Sequence, residues 1–202
     1  MSTTLCAVVL AAGQGSRYRA VAGADQDKLL APCVGRDGIV RPVLEQVLLN
    51  LQAAVEKGAV DNCVLLTRPE RLEVIELGLR YGCQVELLAS GGMGDSIAAA
   101  VTAQPDHRGW LVVLGDMPFI LPDTLVRVIG SLEEGSVSVP VSAGEYGHPV
   151  AFGRQFCLPL MALAGERGAR RLFQAGRVRE VPVDDPGVLW DVDTPASLVF
   201  TP

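Results

Sequence analysis

The sequence predicts an α/β protein: a three-layer αβα sandwich built on a mainly parallel sheet. Three observations carry this. Apolar, β-branched runs recur at Leu5–Leu10 and at residues 63–66, 110–114 and 137–141, each with the length and continuity of a strand buried on both faces. Between them lie stretches with apolar residues at helical spacing, and such alternation implies right-handed crossovers that cover both faces of a parallel sheet. Turns rich in small residues follow Leu10, Leu88 and Leu114, where ligands bind in such sheets, beyond the carboxyl ends of the strands. The 202 residues are read as one domain, 1–202, because no linker, repeat or low-complexity segment divides them.

The first strand breaks into Ala11-Ala12-Gly13-Gln14-Gly15-Ser16-Arg17. Small residues bring the backbone close to a ligand and bare its N–H groups. Arg17 adds a guanidinium whose fork suits phosphate oxygens. This is a phosphate site by its physics, although an ordinary strand-to-helix turn also fits. A Walker loop and a dinucleotide fingerprint would each need a glycine where Tyr18 stands. Residues 19–27 are polar and read as a loop closed by Lys28.

Residues 42–57 carry apolar positions at helical spacing, with Pro42 placed for a first turn and Gly58 for a stop. A strand at 63–66, a helix at 69–81 and a strand at 84–88 follow. The Gly-rich turn 90–94 comes next, with Asp95 placed to cap a helix over 96–103. The strand 110–114 ends in Gly115-Asp116-Met117-Pro118. A helix at 123–132, a strand at 137–141, a loop at 143–149 and a short strand at 150–152 succeed it. Helical patterns at 155–163 and 169–174 precede a strand at 178–183. Trp190-Asp191-Val192-Asp193-Thr194-Pro195 then leads into a short last helix.

Composition excludes some functions. Apolar residues make up 49% and charged residues 20%, an ordinary globular mixture. Aromatics are scarce at 5%, and the net charge is −6; both argue against a nucleic-acid binder, while a single nucleotide remains compatible. No apolar run reaches the length of a membrane span, and the chain opens on a strand rather than a signal peptide. The five cysteines show no Cys-x-x-Cys spacing and read as reduced thiols in a cytoplasmic protein.

Asp116 follows an apolar strand, so its carboxylate projects into the crevice, where it suits Mg²⁺, an ion held by one or two carboxylates plus substrate phosphates; a turn-forming role also fits. Asp191 and Asp193, two apart on an extended segment, share a face and can meet the same ion. Asp193 also fits as a cap of the helix starting at Pro195, and Asp191 as a surface residue. Gly92-Met93-Gly94-x-Ser96 leaves room for a flat base beside a polar edge, or is a plain turn. His148 fits a structural loop histidine, Arg167, Arg170 and Arg171 a solvated helix face, and His107 an exposed turn.

Six segments in order resemble the MobA-like branch of the nucleotidyltransferases: Leu10-Ala11-Ala12-Gly13-x-Gly15-x-Arg17, Lys28-Leu29-Leu30-Ala31-Pro32, Gly92-Met93-Gly94-x-Ser96, Gly115-Asp116-Met117-Pro118, Gly147-His148-Pro149-Val150 with Gly165-Glu166-Arg167-Gly168-Ala169-Arg170, and Asp191-x-Asp193-Thr194-Pro195. The family's lysine follows its arginine after a few residues, whereas here a longer loop intervenes, and Lys28 is matched by its apolar continuation. The resemblance implies the Rossmann-like nucleotide-diphospho-sugar transferase fold, with Mg²⁺ on Asp116, Asp193 and Asp191. It makes Arg17, Lys28 and Asp116 the catalytic residues. Leu10, Ala11, Ala12, Gly13, Gly15, Ser16, Arg17, Lys28, Gly92, Met93, Gly94, Ser96 and Asp116 would bind the nucleotide in the N-terminal part. His148, Pro149, Gly165, Arg167, Gly168 and Arg170 would bind the acceptor in the C-terminal part. The implied reaction moves CMP from CTP to a molybdopterin phosphate, with a molybdenum hydroxylase or its chaperone as a transient partner. GTP as donor, another phosphorylated acceptor such as a sugar or polyol phosphate, or a non-catalytic cofactor-insertion role are the alternatives.

Overall fold

The computed structural model describes residues 5–89 and 91–201; Ser90 of the Gly-rich turn lies outside them. Strand β1 (Leu5–Leu10) leads through the small-residue loop into helix α1 (Ser16–Ala22). A two-stranded antiparallel hairpin follows, β2 (Pro32–Val34) with β3 (Val40–Pro42), and then α2 (Val43–Glu56). Next come β4 (Asn62–Thr67), α3 (Leu72–Arg80), β5 (Gln84–Leu87), α4 (Met93–Ala103) and β6 (Gly109–Leu114). The second half carries α5 (Pro122–Gly130), β7 (Ser136–Ser142), β8 (Glu145–Tyr146), β9 (Val150–Gly153), α6 (Cys157–Met161) and β10 (Arg177–Pro182). Short 3₁₀ turns span Ala169–Ala175 and Pro195–Leu198.

The main sheet runs in the order β10–β7–β9–β6–β1–β4–β5, with β8 appended to β7. It is α/β and mostly parallel, as the alternation requires; β9 runs antiparallel between β6 and β7, and β8 antiparallel to β7. The chain winds outward from β1 to β4 and β5, then returns through α4 to β6 on the other side of β1. That reversal opens a crevice at the carboxyl ends of β1 and β6. Leu10 pairs with Leu114 in register, so the loop after β1 and Asp116 emerge side by side.

Alternation along β1 shows why helices cover both faces. Leu5, Ala7 and Val9 pack with α2, α3 and α5, whereas Cys6 and Val8 pack with α4 and α6. All five are fully buried, and each leucine so buried contributes about 1.5–3 kcal/mol before its entropic cost.

The polar stretch after Arg17 corrects the expectation of a loop over 19–27, because α1 occupies its first part. Tyr18 and Ala22, four apart, anchor α1 in a small cluster with Ala31, Cys33, Val43, Phe119 and Val192; one apolar contact per turn suffices where the rest of the helix faces solvent. Asp95 does cap the helix, but from inside its first turn. Helix α4 begins earlier than expected, at Met93, so Asp95 lies inside its first turn and accepts from the Gly92 N–H at 2.7 Å. His107 is buried at 5% exposure rather than exposed, its ring between Gln104 and Asn62.

Candidate active site

The loop after β1 is shaped from behind by two arginines. Arg68 Nε donates to the Ala12 carbonyl at 2.8 Å; Arg71 donates to the carbonyls of Ala11 at 2.9 Å and Gly13 at 2.6 Å. Three consecutive carbonyls are thus turned toward the start of α3, which favours presentation of the following amides to the crevice. Gly15 takes φ +63° at the junction with α1, a conformation glycine adopts without the usual Cβ cost. Arg71 also pairs with Asp27 at 3.4 Å, tying this loop to the one that ends in Lys28. Neither arginine was singled out by the sequence: each acts through backbone oxygens nearly sixty positions away, which leaves no motif. Arg71→Ala is expected to raise the nucleotide KM about tenfold, or about 1.4 kcal/mol, with little change in kcat. Steady-state titration of the nucleotide checks this, and an unmoved KM rejects the positioning role.

Lys28 crosses the inserted loop to reach the crevice. Its Nζ lies 2.5 Å from Asp116 Oδ2 and 3.3 Å from Asp193 Oδ1, and Arg17 pairs with Asp193 from the outside. Burial works against the Lys28 charge, but the two carboxylates outweigh it and hold the ammonium above its ordinary range. Burial likewise opposes the Asp193 charge; the Arg17 hydrogen bond and Lys28 overcome it and hold the carboxyl below its usual range. Asp191 moves the opposite way, raised by burial and then by Asp193 and Asp116. The backbone explains the convergence. Val192 is fully buried and its N–H donates to the Asp116 carbonyl at 2.9 Å, which sets Asp193 beside Asp116.

These carboxylates fit a hard divalent cation. Among the described residues no three His, Cys, Asp or Glu side chains form a metal cage, so such an ion would rest on two carboxylates and on phosphate oxygens, as Mg²⁺ commonly does. In this structure Lys28 supplies the positive charge between them.

One cavity adjoins the cluster at Asp116, and a second borders that cavity. The larger, about 780 Å³, is lined by Leu10, Ala12, Gly13, Gly15, Ser16, Gly92, Met93, Ser96 and Asp116, and also by Arg68, Asp95 and Gly165. Its size suits a nucleotide. The smaller, about 270 Å³, is lined mainly by apolar and aromatic side chains, among them Val139, Phe152 and Phe173, together with His148, Gly168 and Arg170. Met93 borders both. His148 Nδ1 is buried and has no hydrogen-bond partner among the described residues; burial lowers its pKa against the pull of Asp116, so the imidazole is neutral at pH 7.

The residues expected at the acceptor divide. His148, Gly168 and Arg170 line the smaller cavity; Gly165 lines the larger one; Pro149 and Arg167 line neither. Gly165 goes to the larger cavity because its N–H donates to Asp95 at 3.0 Å and its carbonyl accepts from Gly94 at 2.9 Å. Arg167 and Arg170 do not share a helical face, since the 3₁₀ turn starts only at Ala169. Gly92 and Gly94 owe their lack of side chains to this same packing: a Cβ at Gly92 would lie 2.3 Å from Gly165, and one at Gly94 2.7 Å from the Arg167 carbonyl. Of the residues expected at the nucleotide, Ala11, Arg17, Lys28 and Gly94 line neither cavity, and Ser96 Oγ donates to the Gly92 carbonyl at 3.1 Å. Asp193 does not cap the last turn, whose N-cap is Thr194.

Comparisons with known proteins bear on the fold and the family. The structure of Rv0371c from Mycobacterium tuberculosis H37Rv is 30% identical, with a TM-score of 0.78 and coverage of 98% of this chain and 96% of that one. A manganese complex of Rv0371c is 26% identical, with a TM-score of 0.70 and coverage of 91% and 89%. A nucleotidyl transferase from Methanothermobacter thermautotroptrophicus (Mth528) shares the fold at a TM-score of 0.79 and 24% identity over 96% and 94% of the chains. Among curated proteins, the bifunctional protein GlmU of Syntrophotalea carbinolica is 29% identical over 154 residues; the match takes in 74% of this chain and 30% of GlmU. The chain therefore spans under a third of the length of such relatives. A family model described as MobA-like NTP transferase domain matches residues 7–181, nearly the whole sheet and both cavities, and the chain belongs to that family.

Proposed function

We propose that this chain is a nucleotidyltransferase that moves CMP from CTP to the terminal phosphate of a molybdopterin cofactor and releases pyrophosphate. The observation that carries this reading is the pair of cavities meeting at Met93, the larger of them lined by Asp116. One is walled by the Gly-rich loop and sized for a nucleotide. The other is apolar and aromatic, with one unpartnered imidazole nitrogen and one arginine. Such a lining suits a flat heterocycle bearing an anion; a sugar or polyol phosphate would ask for more hydrogen-bonding side chains.

The terminal phosphate is a monoester, largely ionised at pH 7 with its second pKa near ~6, so it attacks the α-phosphorus without a general base. Catalysis is then placement and charge neutralisation. Loop amides, Arg17 and Lys28 hold the triphosphate and meet the charge that grows on pyrophosphate. Asp116 and Asp193 would hold Mg²⁺, which supplies Lewis-acid stabilisation at the phosphates when bound; Asp191 stands next to them as an outer carboxylate. The manganese complex of Rv0371c supports a divalent ion in this fold. Ala12 and Arg68 share one wall of the larger cavity, the guanidinium on the Ala12 carbonyl, and the extra Cβ of Ala12 on that wall is the feature that favours a pyrimidine in this reading. A non-catalytic insertion factor would not need this assembly of paired cations and carboxylates.

Two measurements test the reading. A thermal-shift comparison of the four NTPs with and without Mg²⁺ is expected to show the largest rise with CTP plus Mg²⁺, since binding stabilises the fold by mass action; a larger rise with GTP makes the protein a guanylyltransferase. Arg170→Ala is expected to raise the acceptor KM about tenfold, or about 1.4 kcal/mol, and to leave the CTP KM unchanged. A loss confined to CTP rejects the second cavity as the acceptor site.

A further inference from the structure

Two of the five cysteines meet far from the crevice. Cys63 stands near the start of β4 and Cys83 immediately before β5. These strands are parallel, with Val64 opposite Gln84, so one step back along each brings the two cysteines side by side on the face that packs against α2 and α3. Adjacent strands lie ~4.8 Å apart, inside the ~4.4–6.8 Å between Cα atoms that a disulfide spans. The sulfur atoms are 2.8 Å apart, well within van der Waals contact. Cys6 packs on the opposite face of the sheet, so the two form a pair rather than part of a trio.

Both line a cavity of about 350 Å³ together with Asp61, Tyr81, Gln84 and Gln104. It sits at the amino-terminal edge of the strands, away from the phosphate loop, and is roomy and polar enough for water or a small peroxide. The hydrogen bond that the thiols share draws Cys83 below the ordinary thiol range; the same bond, with burial, holds Cys63 well above it. The shared hydrogen bond thus favours a thiolate at Cys83.

We propose that Cys63 and Cys83 form a redox-active dithiol that a hydroperoxide converts to an intrachain disulfide. The Cys83 thiolate attacks one peroxide oxygen. The O–O bond breaks, the other oxygen leaves as alcohol or water after taking a proton, and Cys83 becomes a sulfenic acid. Cys63 then gives up its proton and attacks the Cys83 sulfur; the S–S bond forms as the S–O bond breaks, and water leaves. Two thiols lose two electrons and two protons, and one peroxide is reduced. A small-molecule dithiol reverses the reaction by exchange. The closed segment contains α3 and the two arginines that hold the phosphate loop, so oxidation staples the support of that loop to its neighbouring strand. The proposal stands apart from the nucleotidyl-transfer reading and is tested without substrate.

The full chain is reduced, freed of reductant and treated with a small excess of hydrogen peroxide, then mapped by non-reducing peptide mass spectrometry. The expected result is one linked peptide pair, Cys63 to Cys83, with the other three thiols intact. The thermal midpoint should rise by about 5 °C or more and return after dithiothreitol. Cys83→Ser is expected to abolish both the link and the rise. Should that variant not fold, blocking with iodoacetamide before peroxide serves on the unaltered chain. Free thiols at both positions after peroxide, a link to another cysteine, or direct passage to sulfinic acid would each overturn the proposal.

Discussion

Asp116→Ala is expected to lower kcat about 10²–10³-fold or more, some 3–4 kcal/mol of transition-state stabilisation, while the folded state survives. The side chain is 21% exposed and its partner is Lys28, so its loss costs little stability, about 1 kcal/mol or less. The fold at this point depends instead on the Asp116 backbone carbonyl, which receives the Val192 N–H, and on the buried Met117 and Phe119 beside it. Asp116→Asn separates charge from shape. It keeps a hydrogen-bonding oxygen toward Lys28 and removes the anion, and it is expected to be as inactive as the alanine variant. Circular dichroism and pyrophosphate release on both variants check this. A near-normal rate in either removes Asp116 from the reaction.

Lys28→Ala is expected to have two effects of opposite sign. The kcat/KM for the nucleotide should fall about 10²-fold, because the triphosphate loses a partly buried cation. Binding of Mn²⁺ in the absence of nucleotide should rise, because Lys28 sits between Asp116 and Asp193 and competes with a divalent ion for the same two carboxylates. In the unaltered protein the ion should therefore bind with the nucleotide, whose phosphates draw Lys28 away. Electron paramagnetic resonance of Mn²⁺, titrated with and without CTP, reads this directly. Equal Mn²⁺ affinity of the two proteins without nucleotide would show that Lys28 does not hold the place of the ion. The Lys28–Asp193 contributions should be insensitive to moderate pH changes. The raised Lys28 value makes its contribution full below the unfolded lysine pKa, ~10.4, and lost only as pH rises beyond it; the lowered Asp193 value makes its contribution full above ~3.9 and lost only as pH falls further.

How much the sequence revealed follows from the range of the forces involved. The buried strands were legible because a strand covered on both faces must be continuously apolar, and β1, β6 and the middle of β4 are. The crevice was legible because their ends are marked by glycines and a lone aspartate. Helix α1 was not, since Tyr18 and Ala22 are its apolar anchors and the remainder reads as polar loop. The antiparallel course of β9 was not, because its four residues do not announce direction. Arg68 and Arg71 were invisible for another reason: an arginine that grips backbone carbonyls needs no particular partner residue, so nothing in Ala11-Ala12-Gly13 points to them. Arg167 and Arg170 were expected on a common face from their spacing, and the late start of the 3₁₀ turn separates them. The meeting of Cys63 with Cys83 depends on strand register, which spacing along the chain does not encode.

The crevice is proposed to join a cytidine nucleotide to a phosphorylated pterin. The most direct measurement incubates the purified chain with Mg²⁺, molybdopterin and each NTP in turn, and follows pyrophosphate together with the mass of the pterin product. The expected result is stoichiometric pyrophosphate and a pterin heavier by one CMP with CTP, and neither without the acceptor. Pyrophosphate release and a nucleotide adduct only when a sugar or polyol phosphate replaces the pterin would contradict it.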